Sequence, residues 1–187
     1  LGIILIGTIL LFLPISLRGE GSLSLTNAFF ISTSAVTITG LSPVANLSIV
    51  LSPFGKIVLA VLIQIGGLSF VTISVFVMYL IGSKIGLNNR ILIKESLNQN
   101  SLSGMVKLVI RIVIFTMAFE LIGFTINLFV FVPEYGFFEA VGISAFHAIS
   151  SFNNAGFDLL GSVSLQEYSG HILLNLNTAF MIMIGGL

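Results

Sequence analysis

Phe146-His147-Ala148-Ile149-Ser150-Ser151-Phe152-Asn153-Asn154-Ala155-Gly156-Phe157-Asp158 decides the fold: an apolar stretch that stops abruptly in two asparagines and a glycine. A helix from Glu139 to Ser151, at roughly 1.5 Å per residue, covers about half of a hydrocarbon core, which is the length of a re-entrant segment rather than a span. The region that holds it, 133–170, is too long for a helix-to-helix turn and too apolar for an ordinary external loop. Residues 18–52 have the same make-up. There a short apolar helix, Thr26 to Val36, runs into Thr37-Ile38-Thr39-Gly40-Leu41.

Outward from these two regions lie four uncharged or nearly uncharged runs. Leu1–Leu17 ends at Arg18, Ile57–Ser83 is the longest, Ile112–Val132 contains only Glu120 and stops before Pro133, and Ile172–Leu187 is apolar to its last residue. Each is expected to be a membrane-crossing helix, the first and last incompletely represented. Proline has no amide hydrogen and pushes the residue before it out of the helical region, so the third helix is expected to end ahead of Pro133. Leu1 opens inside one apolar run and Leu187 closes inside another, which reads as a fragment of a longer chain and gives no support to a cleavable signal peptide.

The composition agrees with a bilayer: 56% of residues are hydrophobic and 7% charged, with a mean hydropathy of +1.16. The formal net charge of zero gives no field for nucleic acid, and the absence of cysteine removes disulfide and thiolate-metal chemistry. Lys84, Arg90, Lys94, Lys107 and Arg111 gather between the second and third runs, so the connection 84–103 is expected to be cytoplasmic. The chain is then an all-α, multi-pass integral membrane protein.

The two halves repeat. Ala28-Phe29 matches Ala145-Phe146, Gly40 matches Gly156, and Ile65-Gly66-Gly67-Leu68 matches Ile184-Gly185-Gly186-Leu187. Each half is a helix–pore loop–helix unit, at 1–83 and at 104–187, joined by 84–103, in the parallel order of repeats related by an axis along the membrane normal. Two units do not enclose a pore; a four-walled path needs two more.

A carbonyl-lined path replaces the water of a monovalent cation without fixing a charge in its way. Glycine without a Cβ takes positive φ and can turn successive carbonyls to one axis. The expected ion-binding residues are Val36, Thr37, Ile38, Thr39 and Gly40 in the first loop and Asn153, Asn154, Ala155 and Gly156 in the second, with the half-helix C-termini favouring a cation. Gly40 taken alone is equally well a helix C-cap. Gly66-Gly67 read as close helix packing, His147 as a structural histidine, and Glu120 as a partner for polar atoms such as Gln64 as much as a transport residue. Asp158 is either a cation-attracting mouth residue or a solvated loop acid, and Asn153 and Asn154 are candidates to hold the loop through their side chains. No Ser/His/Asp set, HExxH or paired carboxylates point to an enzyme.

The Thr37–Leu41 run, Ile63-Gln64-Ile65-Gly66-Gly67-Leu68, Leu92-Ile93-Lys94-Glu95-Ser96-Leu97-Asn98-Gln99 and above all Phe146–Asp158 resemble the KtrB branch of the Trk/Ktr/HKT superfamily over nearly the whole chain. Ser69 departs from the pattern, which has a glycine there. The resemblance implies potassium uptake through a selectivity filter at the plasma membrane. It implies four pore units related by pseudo-fourfold symmetry, two of them present here, with K+ as the transported ion and no covalent cofactor. Its implied partners are a second copy in a homodimer and a cytosolic, nucleotide-binding, KtrA-like regulatory ring. The connection 84–103 is then either a docking surface for that ring or a solvated linker. A Trk-type or sodium-permeable relative is the nearest alternative, and a membrane assembly subunit a more distant one.

Overall fold

The computed structural model describes residues 1–19, 22–82, 86, 91–92, 94–95, 104–161 and 163–187. Lys84, Arg90 and most of the connection 84–103 lie outside the described residues. The described elements are all helical. They fall into two compact units, one made of Leu1–Gly67 with Phe119–Leu187 and the other of Leu68–Ala118.

The first unit opens with α1 (Gly2–Phe12), which the sequence would extend to Leu17. Pro14 stops it: Leu13 turns extended (φ −60, ψ 141) and a 3-10 turn, Pro14–Ser16, follows. Leu17 bridges Leu51 in antiparallel fashion. Helix α2 (Leu25–Val36) is the first expected half-helix; the Ser24 hydroxyl accepts the Asn27 amide at its start. A single turn, α3 (Leu47–Val50), is capped by Asn46. Helix α4 (Pro53–Leu68) begins on a proline, where the missing amide costs nothing.

Here the expected single span Ile57–Ser83 fails. The helix breaks at Ser69, whose backbone takes φ 65 and ψ 146, and restarts as α5 (Phe70–Leu80) with the Ser69 hydroxyl accepting the Thr72 amide. Glycine is the usual occupant of that conformation, and the apolar run carries no proline or charge to announce the break. In the Leu68–Ala118 unit, Val75 and Val109 are buried together.

Helix α6 (Met105–Tyr135) contains the expected span but runs on through Pro133. Among the described residues it is the single unbroken helix long and apolar enough to cross a bilayer. Pro133 is tolerated because it sits in the last turn, which the Gly136 amide closes on Val132 O at 3.0 Å. The Tyr168 hydroxyl donates to Glu134 at 2.6 Å and lies 3.2 Å from the Tyr135 hydroxyl, fastening that end. Helix α7 (Phe137–Phe152) is the second half-helix, started at Gly136 (φ 73, ψ 164) and carrying Glu139 in its first turn, where the helix dipole favours an acid. After a 3-10 turn, α8 (Ile172–Gly185) is capped by His171.

Small residues bring α1 and α2 together. The Ser32 hydroxyl donates to Ile4 O at 2.8 Å, and a Cβ on Gly7 would overlap Ser32 and Leu62. Leu11, Ala28, Ile31, Ala35, Leu59 and Ile63 are fully buried in one cluster with Phe146, Ala155 and Phe157 of the second half. Large apolar side chains elsewhere face outward, Phe138 at 92% exposure and Phe129 at 74%, as lipid-facing or partner-facing positions do.

Candidate functional site

Both half-helices end in the same reverse turn. In the first, Thr37 is the C-cap (φ −89, ψ 1), Ile38 enters the left-handed region (φ 55), the Ile38 amide reaches Ala35 O at 3.3 Å and the Thr39 amide reaches Ser34 O at 2.8 Å. In the second, Asn153 is the C-cap (φ −79, ψ 2), Asn154 is left-handed (φ 56), its amide reaches Ser151 O at 3.1 Å and the Ala155 amide reaches Ser150 O at 2.8 Å. This is a Schellman end, with paired six-to-one and five-to-two hydrogen bonds. Every partner in one turn lies 116 residues from its counterpart in the other.

The glycines come two residues later, Gly40 at φ 78 and Gly156 at φ 73. Neither is the helix cap. The caps are made by Thr37-Ile38 and Asn153-Asn154, and the left-handed positions at Ile38 and Asn154 were not legible in the sequence. Asparagine tolerates that region; a β-branched isoleucine there costs about 1–2 kcal/mol.

The two loops touch. A Cβ built on Gly40 would stand 2.5 Å from Ala155 O and 3.2 Å from Gly156 Cα, and one on Gly156 would stand 3.5 Å from Gly40 Cα. Thr37, Thr39, Asn154 and Gly156 are exposed, while Ala155 is fully buried in the core cluster. Val36 ends its helix with its carbonyl oxygen 2.5 Å from where a Gly66 Cβ would be. Phe152, its counterpart, sets its carbonyl against Gly185 in the same way. Gly66 is therefore a close-approach position, as read from the sequence, Gly185 proves to be one as well, and each half brings its own outer-helix glycine against the end of its own half-helix.

Side chains hold the loops differently. The Thr37 hydroxyl donates to Thr33 O at 2.8 Å, so the 2.7 Å bond between Thr37 and Thr39 hydroxyls is donated by Thr39. Asn153 is buried, and its amide nitrogen lies 2.8 Å from Ile149 O, 3.0 Å from Gln64 Oε1 and 3.1 Å from Glu120 Oε1. Gln64 on α4 and Glu120 on α6 thus meet on the cap of the second half-helix. A Cβ on Gly67 would overlap the Asn153 side chain. Asn154 donates to Ile182 O of α8 at 3.3 Å.

The remaining candidates have structural partners. His147 is buried, 2.9 Å from the Thr178 hydroxyl and edge-on to Phe131. Asp158 accepts the Leu160 amide at 2.9 Å and the Ser164 hydroxyl at 2.6 Å, which shapes the loop after Gly156.

Residues 4–187 match the TrkH family, described as cation transport protein. The chain is 42% identical to the Ktr system potassium uptake protein B of Bacillus subtilis over 98% of its own length and 40% of that protein. It is 39% identical to the potassium/sodium uptake protein NtpJ of Enterococcus hirae over 99% of its length and 41% of that protein. Against the Ktr system potassium uptake protein B of Vibrio alginolyticus, identity is 38% over all of this chain and 40% of that protein. The chain therefore spans about two fifths of the length of the curated relatives it matches.

Proposed function

This chain belongs to the TrkH family of cation transport proteins, and on that premise we propose that it supplies two of four pore units in a potassium-uptake protein. It is a membrane protein that transports rather than catalyses. The observation that carries the reading is the recurrence of one reverse turn at the ends of both half-helices, with Gly40 and Gly156 back to back at positive φ.

K+ entering such a path exchanges its water for oxygens offered by the protein. Thr37 to Gly40 and Asn153 to Gly156 offer the backbone carbonyls, and Val36 anchors the first loop against Gly66. Negative half-helix ends behind the loops favour a cation and disfavour chloride. Asn153 acts by holding its turn to Gln64 and Glu120 rather than by offering its side chain to the ion. The pseudo-fourfold arrangement is completed by two further units, the units of this chain being 1–83 and 104–187. The connection 84–103 is cytoplasmic and receives a nucleotide-binding, KtrA-like regulatory ring, and the transporter works as a homodimer in the plasma membrane.

The test is potassium uptake by the full-length protein in cells lacking their own uptake systems, wild type beside Gly156→Ser. Saturable uptake whose preference for K+ over Na+ falls in the variant supports the filter, because a side chain at left-handed φ strains the loop that sets the spacing of the carbonyls. Absence of uptake by the wild type counts against it.

A further inference from the structure

Ser34 and Ser150 hold the same place in the two turns, and each lends its backbone carbonyl to the amide five residues on. Their hydroxyls do different things. The Ser150 hydroxyl, 2% exposed, donates to Phe157 O at 2.5 Å. The Ser34 hydroxyl, 4% exposed, has no hydrogen-bond partner.

We propose that Ser150 is a positioning residue that fixes Gly156, and with it the ion selectivity of the second loop, by gripping the chain on both sides of that glycine. Its carbonyl holds the Ala155 amide ahead of Gly156, and its hydroxyl holds the Phe157 carbonyl behind it. With the Asn154–Ala155 and Phe157–Asp158 peptides tied to one helical residue, the three-residue stretch between them, centred on Gly156 at φ 73, is held at both ends. The first loop lacks this second tie. Leu41, the counterpart of Phe157, is 59% exposed where Phe157 is 4% exposed. The two loops thus share a backbone shape but not its support, and the better-supported one sets the position against which Gly40 packs.

The inference rests on the reading of Gly156 as a filter residue, so the experiment separates the two. Uptake of K+ and of Na+ by the full-length protein is measured for Ser150→Ala, Ser150→Thr, Ser34→Ala and Gly156→Ser. Alanine in place of a helical serine removes one oxygen and favours the helix, so Ser150→Ala and Ser34→Ala are expected to fold. Ser150→Ala should lower the preference for K+ over Na+ by up to about fivefold, the bound reached if the whole of one lost hydrogen bond falls on the K+-selecting conformation. Ser150→Thr, which retains the hydroxyl, should restore the preference, and Ser34→Ala should leave it unchanged. If Gly156→Ser lowers the preference and Ser150→Ala does not, the role of Ser150 is wrong and the filter reading stands. If neither lowers it, the filter reading falls and takes the inference with it. An equal loss in Ser34→Ala and Ser150→Ala overturns the inference too, because a general weakening of half-helix packing then explains both.

Discussion

Gly40 and Ala155 approach so closely that a single added carbon on Gly40 would stand 2.5 Å from the Ala155 carbonyl oxygen. The contact joins loops from opposite halves of the chain, more than a hundred residues apart, and it exists only because Gly40 has no side chain. Ala155 cannot retreat, since its side chain is fully buried in the cluster shared with Leu59 and Ile63. The wall made by the two loops is thus backed by the apolar core of the first half.

Asn153 ties that wall to Gln64 and Glu120. Replacing it by leucine should destabilise the full-length protein by about 2–3 kcal/mol, because two polar groups in an apolar setting lose their donor. Glu120→Leu alone should cost about 1 kcal/mol, since Asn153 keeps Ile149 O and Gln64. The double variant should cost less than the sum of the singles. Thermal unfolding in detergent checks this; additive costs would mean that the two side chains do not act as a pair.

Ser69 holds nearly the backbone conformation that Gly136 holds at the start of α7, φ 65 and ψ 146 against φ 73 and ψ 164. Glycine adopts it freely and serine does not, so Ser69→Gly should stabilise by about 1 kcal/mol even after loss of the weak cap to Thr72. Ser69→Ala should destabilise, having neither the hydroxyl nor the torsional freedom. Melting temperatures of the two variants should move in opposite directions.

Gly66 packs directly on the end of the first half-helix, where its Cβ would meet Val36 O at 2.5 Å. Gly66→Ala should therefore cost about 1–3 kcal/mol through overpacking. Gly142→Ala, on the second half-helix with nothing within 4 Å, should be neutral or slightly stabilising. Unfolding midpoints measured side by side decide whether close approach, rather than glycine in a helix as such, governs the cost.

The half-helices Thr26–Val36 and Glu139–Ser151 were legible because a short apolar run that halts in polar residues and glycine has few other readings; the observed helices, Leu25–Val36 and Phe137–Phe152, extend them by one or two residues at an end. The break at Ser69 was hidden because a hydroxyl residue inside an apolar run carries no breaking signal of its own. The end of α6 past Pro133 is fastened by Tyr168, which bonds Glu134 and Tyr135 from 34 and 33 residues along the chain, contacts that local rules do not see. The repeat was found one residue out of register in its first part: Ala28 pairs with Ser144 and not Ala145, both Ala28 and Ser144 being fully buried at the offset the turns define. The polar meeting of Gln64, Glu120 and Asn153 was foreseen only between Gln64 and Glu120, since nothing in the spacing of those residues brings Asn153 to them.

The most direct test of the central claim is the relative uptake of K+ and Na+ by the full-length protein carrying Gly40→Ser or Gly156→Ser. Both glycines have positive φ, so both variants should lose selectivity. Gly40→Ser should lose the more, because its new Cβ also overlaps the Ala155 carbonyl, whereas that of Gly156 meets only Gly40 Cα at 3.5 Å. A preference for K+ that falls for Gly156→Ser and further for Gly40→Ser agrees with a filter wall built from two touching loops. Selectivity unchanged in both, with the proteins present in the membrane at wild-type amounts, would contradict it.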